Sequence, residues 1–262
     1  MDLKLEGRRA IVTGGSRGIG RSCALALARE GASVCVVARD RARLDLVVEE
    51  IAARGAAGHA VVADLSTGDG CRTAVERGAA ALGGVDVLVN CAGAAQAADV
   101  LDLPVETIED ALALKSYGYL RMAQLAIPHM SRGGWGRIVN IAGAAGASPE
   151  RGNLPVSLAN VAVLNTTRAL SDAVAGDGIL VNTICPGLTN TTRARRLHAA
   201  RAAEEGRDVD DLIAEAGRGL PAGRIAEPEE IAEVAVFLAS GACSYVFGSS
   251  VYMDGGARRG TP

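Results

Sequence analysis

The sequence predicts an α/β fold, a doubly wound parallel sheet with helices on both faces, and three observations carry that prediction. Short β-branched runs alternate with longer amphipathic stretches from one end of the chain to the other. Several of the short runs are apolar without a break, as in Val34-Cys35-Val36-Val37, which is how a strand reads when helices cover both faces of its sheet. A glycine-rich turn joins the first such run to the first amphipathic stretch, the junction at which open α/β sheets bind phosphates.

Strands are predicted over 9–13, 33–38, 59–63, 85–90, 136–141, 180–185 and 250–253. Between them, helices are predicted over 19–29, 41–54, 69–81, 105–132, 154–175 and 228–240. Strands separated by helices of this length make βαβ units with right-handed crossovers. With 262 residues and 49% apolar composition the chain can bury one substantial core, and α/β folds of about 250 residues are routinely one domain. A single domain over residues 1–262 is therefore expected, with one departure from the rhythm at residues 189–219. That segment is polar, rich in Arg and Ala, and short of side chains to bury. It reads either as a flexible flap over a ligand crevice or as a solvated helical insertion.

Several function classes are disfavoured. The formal net charge is −3 and the basic residues are scattered, so no nucleic-acid surface is expected. No apolar run approaches the roughly 18 residues of a membrane span, and the N-terminus does not resemble a signal peptide. Cys23, Cys35, Cys71, Cys91, Cys185 and Cys243 lie far apart, most of them inside apolar runs; reduced thiols and a cytoplasmic location follow. His59, His129 and His198 are dispersed, and no metal is expected.

The strongest motif is Thr13-Gly14-Gly15-Ser16-Arg17-Gly18-Ile19-Gly20. Gly14 lets the chain turn sharply, Gly18 permits close approach of a diphosphate, and Gly20 lets the helix pack on the sheet. The helix N-terminus then offers free N–H groups and the positive end of its dipole. This is a dinucleotide-binding turn of the Rossmann type, with TGxxxGxG spacing.

That spacing, together with Asn90-Cys91-Ala92-Gly93, Pro186-Gly187 and Asp254-Gly255-Gly256 in this order, resembles the short-chain dehydrogenase/reductase family along nearly the whole chain. The resemblance implies a seven-stranded sheet of order 3-2-1-4-5-6-7. It also implies cofactor contacts from Gly14, Ser16, Arg17, Gly18, Ile19 and Gly20, from Asn90, Ala92 and Gly93, and from Pro186 and Gly187. Asp64, with Leu65 beside it, resembles the family's adenine contact, and Thr191 its contact to the nicotinamide carboxamide. An NAD enzyme normally ends its second strand on Asp or Glu, to hold the ribose hydroxyls. Here Ala38 stands there, followed by Arg39, and Arg17 lies close to the same ribose in related proteins. Two guanidinium groups suit a further phosphate, so NADP(H) is expected over NAD(H), with Asp40 the one residue that argues the other way.

The family reduces carbonyls with an Asn-Ser-Tyr-Lys tetrad, in which the lysine lowers the tyrosine's pKa. Aligned on its motifs, this chain has Lys115, Gly143, Val156 and Asn160 at those four positions, and so resembles a divergent branch lacking the tetrad. Val156 cannot donate a proton. Asn160 can hydrogen-bond the nicotinamide ribose but carries no charge. Lys115 reads as a substitute acid, because a partly buried ammonium shifts its pKa readily, and equally as a solvated mid-helix lysine. Ser157 is a candidate to orient a carbonyl; Tyr117, Tyr119, Asn140 and Asn153 read as packing, interface or capping residues.

Three readings remain open on sequence. The favoured one is an NADP(H)-dependent oxidoreductase acting on a carbonyl or alcohol of moderate size, with Lys115, Ser157 and Asn160 in its site. The others are a silent nucleotide-binding subunit supporting an active paralogue, and a nucleotide-sensing module. Similar proteins pair through the helices corresponding to 105–132 and 154–175 and through the last strand, so a homotetramer, or else a dimer, is expected; the aromatic run Tyr245-Val246-Phe247-Gly248 would otherwise be exposed.

Overall fold

The strands are β1 (Arg9–Thr13), β2 (Ser33–Ala38), β3 (Gly58–Val62), β4 (Val87–Asn90), β5 (Gly136–Ile141), β6 (Ile179–Pro186) and β7 (Ser250–Met253). In this computed structural model, which describes residues 1–93 and 98–259, all seven pair in parallel in the order β3-β2-β1-β4-β5-β6-β7. The expected doubly wound sheet is thus what forms. Two apolar layers hold it together. On one face Leu27, Leu44, Ile51, Ile231 and Val236 cover the sheet, and on the other Cys71, Val75, Met122 and Met130 do so. Burial on both faces is why β1, β2 and β4 read as continuous apolar runs.

The helices are α1 (Gly18–Arg29), α2 (Arg41–Ala52), α3 (Gly68–Leu82), α4 (Val105–Ala111), α5 (Gly118–Gly133), α6 (Leu154–Val174), α7 (Thr192–Glu205), α8 (Val209–Arg218) and α9 (Pro228–Leu238). Two sequence expectations need correction here. The helix expected over 105–132 is not a plain α-helix, because a π-helical turn, Leu112–Tyr117, separates α4 from α5. The chain presses against the loop after β3 where the turn ends: a Cβ on Gly118 would lie 2.7 Å from the Leu65 carbonyl oxygen. Second, residues 189–219 do have something to bury. They fold into α7 and α8, with Ala202, Leu212 and Ile213 inside and ion pairs from Arg195 to Asp210 and from Arg207 to Glu215 along the outside.

The strand expected at 85–90 begins two residues later, at Val87. Asp86 turns its carboxylate to Arg9 instead, accepting from the Arg9 amide, Nε and Nη2 at 2.7–2.9 Å. This pair ties β1 to β4 at the edge of the sheet where those strands begin. At their other ends the strand order reverses between β1 and β4, and the loops that leave there part to form a crevice.

Candidate active site

A cleft of about 740 Å³ opens at the carboxyl ends of the strands. The loops after β1, β2, β3 and β4, the end of β5, the π turn, α6 and the start of α7 all line it.

Backbone builds one end. Gly14 has φ +64°, and a Cβ there would lie 2.9 Å from Ala92; one on Gly20 would lie 2.4 Å from the Gly14 carbonyl oxygen. Thr13 Oγ1 accepts from the amides of Cys91 and Ala92, which fixes the loop after β4 against the glycine turn. The N-terminus of α1 carries no side-chain cap at Arg17, so the first-turn N–H groups of Gly18 and Ile19, without a partner among the described residues, face a ligand. By contrast α2 is capped by Asp40 and α7 by Thr191. Arg17 and Arg39 both line this end and neither is in an ion pair among the described residues. Asp40 is already committed, accepting from the Arg43 amide and pairing with its guanidinium at 3.1 Å. Asp64 also lines the cleft; hydrogen bonds from the Ser66 amide and hydroxyl hold its carboxyl below the usual range, and Arg39 adds to the effect. An uncapped helix end, glycines pressed to backbone contact and two arginines make a cradle that fits a dinucleotide carrying an additional phosphate.

Side chains build the other end. Lys115 projects from the π turn and its Nζ donates to the Ala142 carbonyl oxygen at 2.9 Å. Burial pulls its pKa down to about 8, and the positive charge of Arg193 favours the same direction. The nearby Cys91 and Cys185 thiols are pushed up to about 11 by burial, so they are neutral near pH 7. Val156 and Asn160 line the same wall from α6. Asn160 is 2% exposed and its Oδ1 has no hydrogen-bond partner among the described residues. Gly143 lies behind it: a Cβ there would meet the Asn160 Nδ2 at 3.1 Å, so the amide occupies the space beside that glycine.

Most of the residues singled out in the sequence thus meet in one cleft, with clear exceptions. Ser157 does not line it; its hydroxyl donates back to Leu154 O in the first turn of α6. Asn90 is fully buried, donating to Asn140 Oδ1 and Tyr119 O, in a network that continues from Asn140 through Thr167 to Thr183. Pro186 and Gly187 end β6 away from the cleft wall, where Gly187 allows close contact with Asp254, 2.8 Å from a Cβ added there. Tyr119 donates to Ile141 O and is buried, whereas Tyr117 is exposed. Thr191 lines the cleft with its methyl against Gly18 and its Oγ1 capping α7. Arg193, at the cleft lip, went unremarked. Composition held a signal for the other cation: of the 27 Lys and Arg residues only Lys4 and Lys115 are lysines.

Over residues 14–258 the chain matches the family described as enoyl-(acyl carrier protein) reductase. It is also 30% identical to 3-oxoacyl-(acyl-carrier-protein) reductase FabG of Aquifex aeolicus over 257 residues, 98% of this chain and 99% of that protein. The chain belongs to the short-chain dehydrogenase/reductase family. It is an NAD(P)-dependent oxidoreductase. Among solved members of the family, L-sorbose reductase from Gluconobacter frateurii, complexed with NADPH and L-sorbose, superposes with a TM-score of 0.96 at 29% identity and 100% coverage of both chains. A short-chain dehydrogenase from Burkholderia cenocepacia in complex with NADP gives 0.86 at 31% identity, covering 97% of this chain and 99% of that one. Among the described residues no helix is long and apolar enough to cross a membrane.

Proposed function

We propose that this family member is an NADP(H)-dependent carbonyl reductase, able to run in reverse on alcohols, in which Lys115 Nζ replaces the absent phenol as proton donor. The observation that carries this reading is one ammonium, lowered to about 8, on a cleft wall whose tyrosine and lysine positions hold Val156 and Asn160. An acid of that strength is mostly protonated at neutral pH and still releases its proton readily. Arginine, which this chain uses almost everywhere else, stays charged at all working pH values. The Ala142 carbonyl takes one of the three ammonium donors, leaving two for a carbonyl oxygen as it gains negative charge. Asn160 Oδ1, buried without a partner among the described residues, offers an acceptor to a hydroxyl of cofactor or substrate.

The glycine turn, Asp64, Leu65, Ala92, Gly93 and Thr191 would hold the cofactor. When bound, its nicotinamide supplies or takes up the hydride. Arg17 and Arg39, with Ala38 in place of an acid and Asp40 committed to Arg43, favour the phosphorylated form over NAD(H); the complexes of the relatives with NADPH and NADP support the same choice. The α7–α8 pair serves as a movable cover on a single domain. Free thiols suit a cytoplasmic setting, and a homo-oligomer would cover Tyr245, 94% exposed near the edge strand β7.

The test is NADPH oxidation over a ketone panel with wild type and Lys115→Met, alongside calorimetry of NADPH binding. The variant should lose about 100- to 10,000-fold in kcat while keeping its NADPH affinity. Reduction by wild type should fall about tenfold per pH unit above about 8 as Lys115 deprotonates, and alcohol oxidation should rise through the same pH. Equal turnover in the two proteins, or none in either, overturns the reading.

A further inference from the structure

Lys115 stands in an irregular part of the chain, and the residues beside it decide where its ammonium ends up. The π turn Leu112–Tyr117 sends neighbouring side chains in three directions. Leu114 and Lys115 line the cleft, Ser116 is buried at 5% exposure, and Tyr117 is exposed. Turns of this kind are far less common than regular α-helix and recur at functional sites, so contacts from outside must hold this one open. At its end, Gly118 presses on the loop after β3 through the Leu65 carbonyl. In its middle, the Ser116 hydroxyl donates to the Ala159 carbonyl oxygen of α6 at 3.2 Å.

The second contact lies closer to the chemistry. Ser116 follows Lys115 directly, and Ala159 lines the cleft and precedes Asn160. Lys115 Nζ donates to the Ala142 carbonyl oxygen at 2.9 Å, and Tyr119 Oη donates to that of Ile141 at 3.1 Å. Side chains at 115, 116 and 119 thus fasten one stretch of chain to the end of β5 on one side and to α6 on the other. The lysine stem is flexible, so Nζ has a defined place only where both the tip and the backbone are held. Ala142 holds the tip, and Ser116 holds the backbone.

We propose that Ser116 is a positioning residue of this reductase: its hydroxyl, seated on the Ala159 carbonyl, locks the π turn against α6 and so sets where the Lys115 ammonium stands in the cleft. This role rests on the proton-donor reading of Lys115. Ser116 itself does not line the cleft and acts through its neighbour. Burial holds the Lys115 pKa down at about 8, so a turn that relaxes and admits water returns it towards the ordinary 10.5. The other groups around the ammonium are the Cys91 thiol after β4, the Cys185 thiol in β6 and the Arg193 guanidinium of α7. A change at Ser116 alters none of their charges, so a shift in the lysine titration reads position.

The experiment follows the ammonium directly. Lys4 and Lys115 are the two lysines of the chain, so lysine labelled at Cε with carbon-13 gives two NMR signals, which Lys4→Arg assigns. Titrations are recorded for wild type, Ser116→Ala, Ser116→Val and Ser116→Thr, with kcat and KM for NADPH-dependent ketone reduction alongside. Valine and threonine share a shape and differ in the hydroxyl, so their contrast separates the hydrogen bond from packing. In Ser116→Ala and Ser116→Val, Lys115 should titrate above about 8, towards 10.5, and kcat should fall roughly tenfold with KM nearly unchanged. Ser116→Thr should restore both. A Lys115 titration unmoved in Ser116→Ala and Ser116→Val overturns the positioning role and leaves the proton-donor reading intact; a merely structural hydroxyl would lower Tm and nothing else. A Ser116→Thr variant that behaves as Ser116→Val does also overturns it. A titration that moves while kcat stays level supports the positioning role and sinks the proton-donor reading. Where no ketone is reduced, the proton-donor reading falls and the titration alone decides the role of Ser116.

Discussion

At the phosphate end of the cleft the nearest neighbours of Gly14 and Gly20 are backbone atoms, and at the reaction end those of Gly143 and Gly93 are side chains. Gly14 and Gly20 would drive a Cβ into Ala92 and into the Gly14 carbonyl. Gly143 and Gly93 would meet only the Asn160 amide at 3.1 Å and the Lys115 side chain at 3.6 Å. Backbone cannot step aside without moving a strand, whereas a side chain can rotate. The first kind of site therefore admits one residue type, and the second can exchange its chemistry while the fold persists. A site with Val156 and Asn160 behind an intact glycine turn is what that difference permits.

Gly20→Val attacks the contrast most directly. With a carbonyl oxygen 2.4 Å from the new Cβ, overpacking of about 1–3 kcal/mol and loss of the helix-end geometry should weaken NADPH binding by about 100-fold in calorimetry. Gly143→Ala, the matching change at the other end, should shift that affinity by less than about threefold, since one amide moves a few tenths of an ångström. Comparable losses in the two variants would break the comparison.

A smaller effect sharpens it within the phosphate end. Arg39→Ala should raise the Kd for NADPH about tenfold and leave NADH binding nearly unchanged, because this exposed guanidinium acts on the added phosphate alone and is partly screened. A variant that weakens both dinucleotides alike would show that Arg39 shapes the loop instead.

Asp86→Asn supplies the smallest change, away from both ends. Burial by itself would raise the Asp86 carboxyl, but hydrogen bonds from the Arg9 side chain and amide hold it below the ordinary 3.8. Its stabilising contribution is thus complete above 3.8 and disappears as the pH falls through the lower folded-state value. Arg9 is about one-third exposed, so screening limits the loss to about 1 kcal/mol, or roughly 2–4 °C in Tm. NADPH affinity should be unaffected, and the Tm gap between variant and wild type should close on strong acidification.

Legibility in the sequence followed the same division. The order and type of the strands could be read because burial on two faces writes unbroken apolar runs, and the glycine turn because only glycine satisfies its backbone. Ser157 was misplaced, since a serine inside a helix often bonds the carbonyl of the preceding turn and leaves the site, as it does here to Leu154. Asn90 was read as a cofactor contact and lies instead in a buried network reaching Thr183, whose members come from four separate elements. The π turn left no trace in the apolar pattern, and the paired helices after β6 hid because only Ala202, Leu212 and Ile213 of that polar stretch turn inward.

Residue order alone determined the doubly wound architecture and the phosphate-binding turn, since each depends on local backbone demands. The lowered pKa of Lys115 and its bond to Ala142 were decided only by folding. Proton affinity depends on how far water is excluded and on which charges stand within a few ångströms, and those neighbours come from segments distant in the chain.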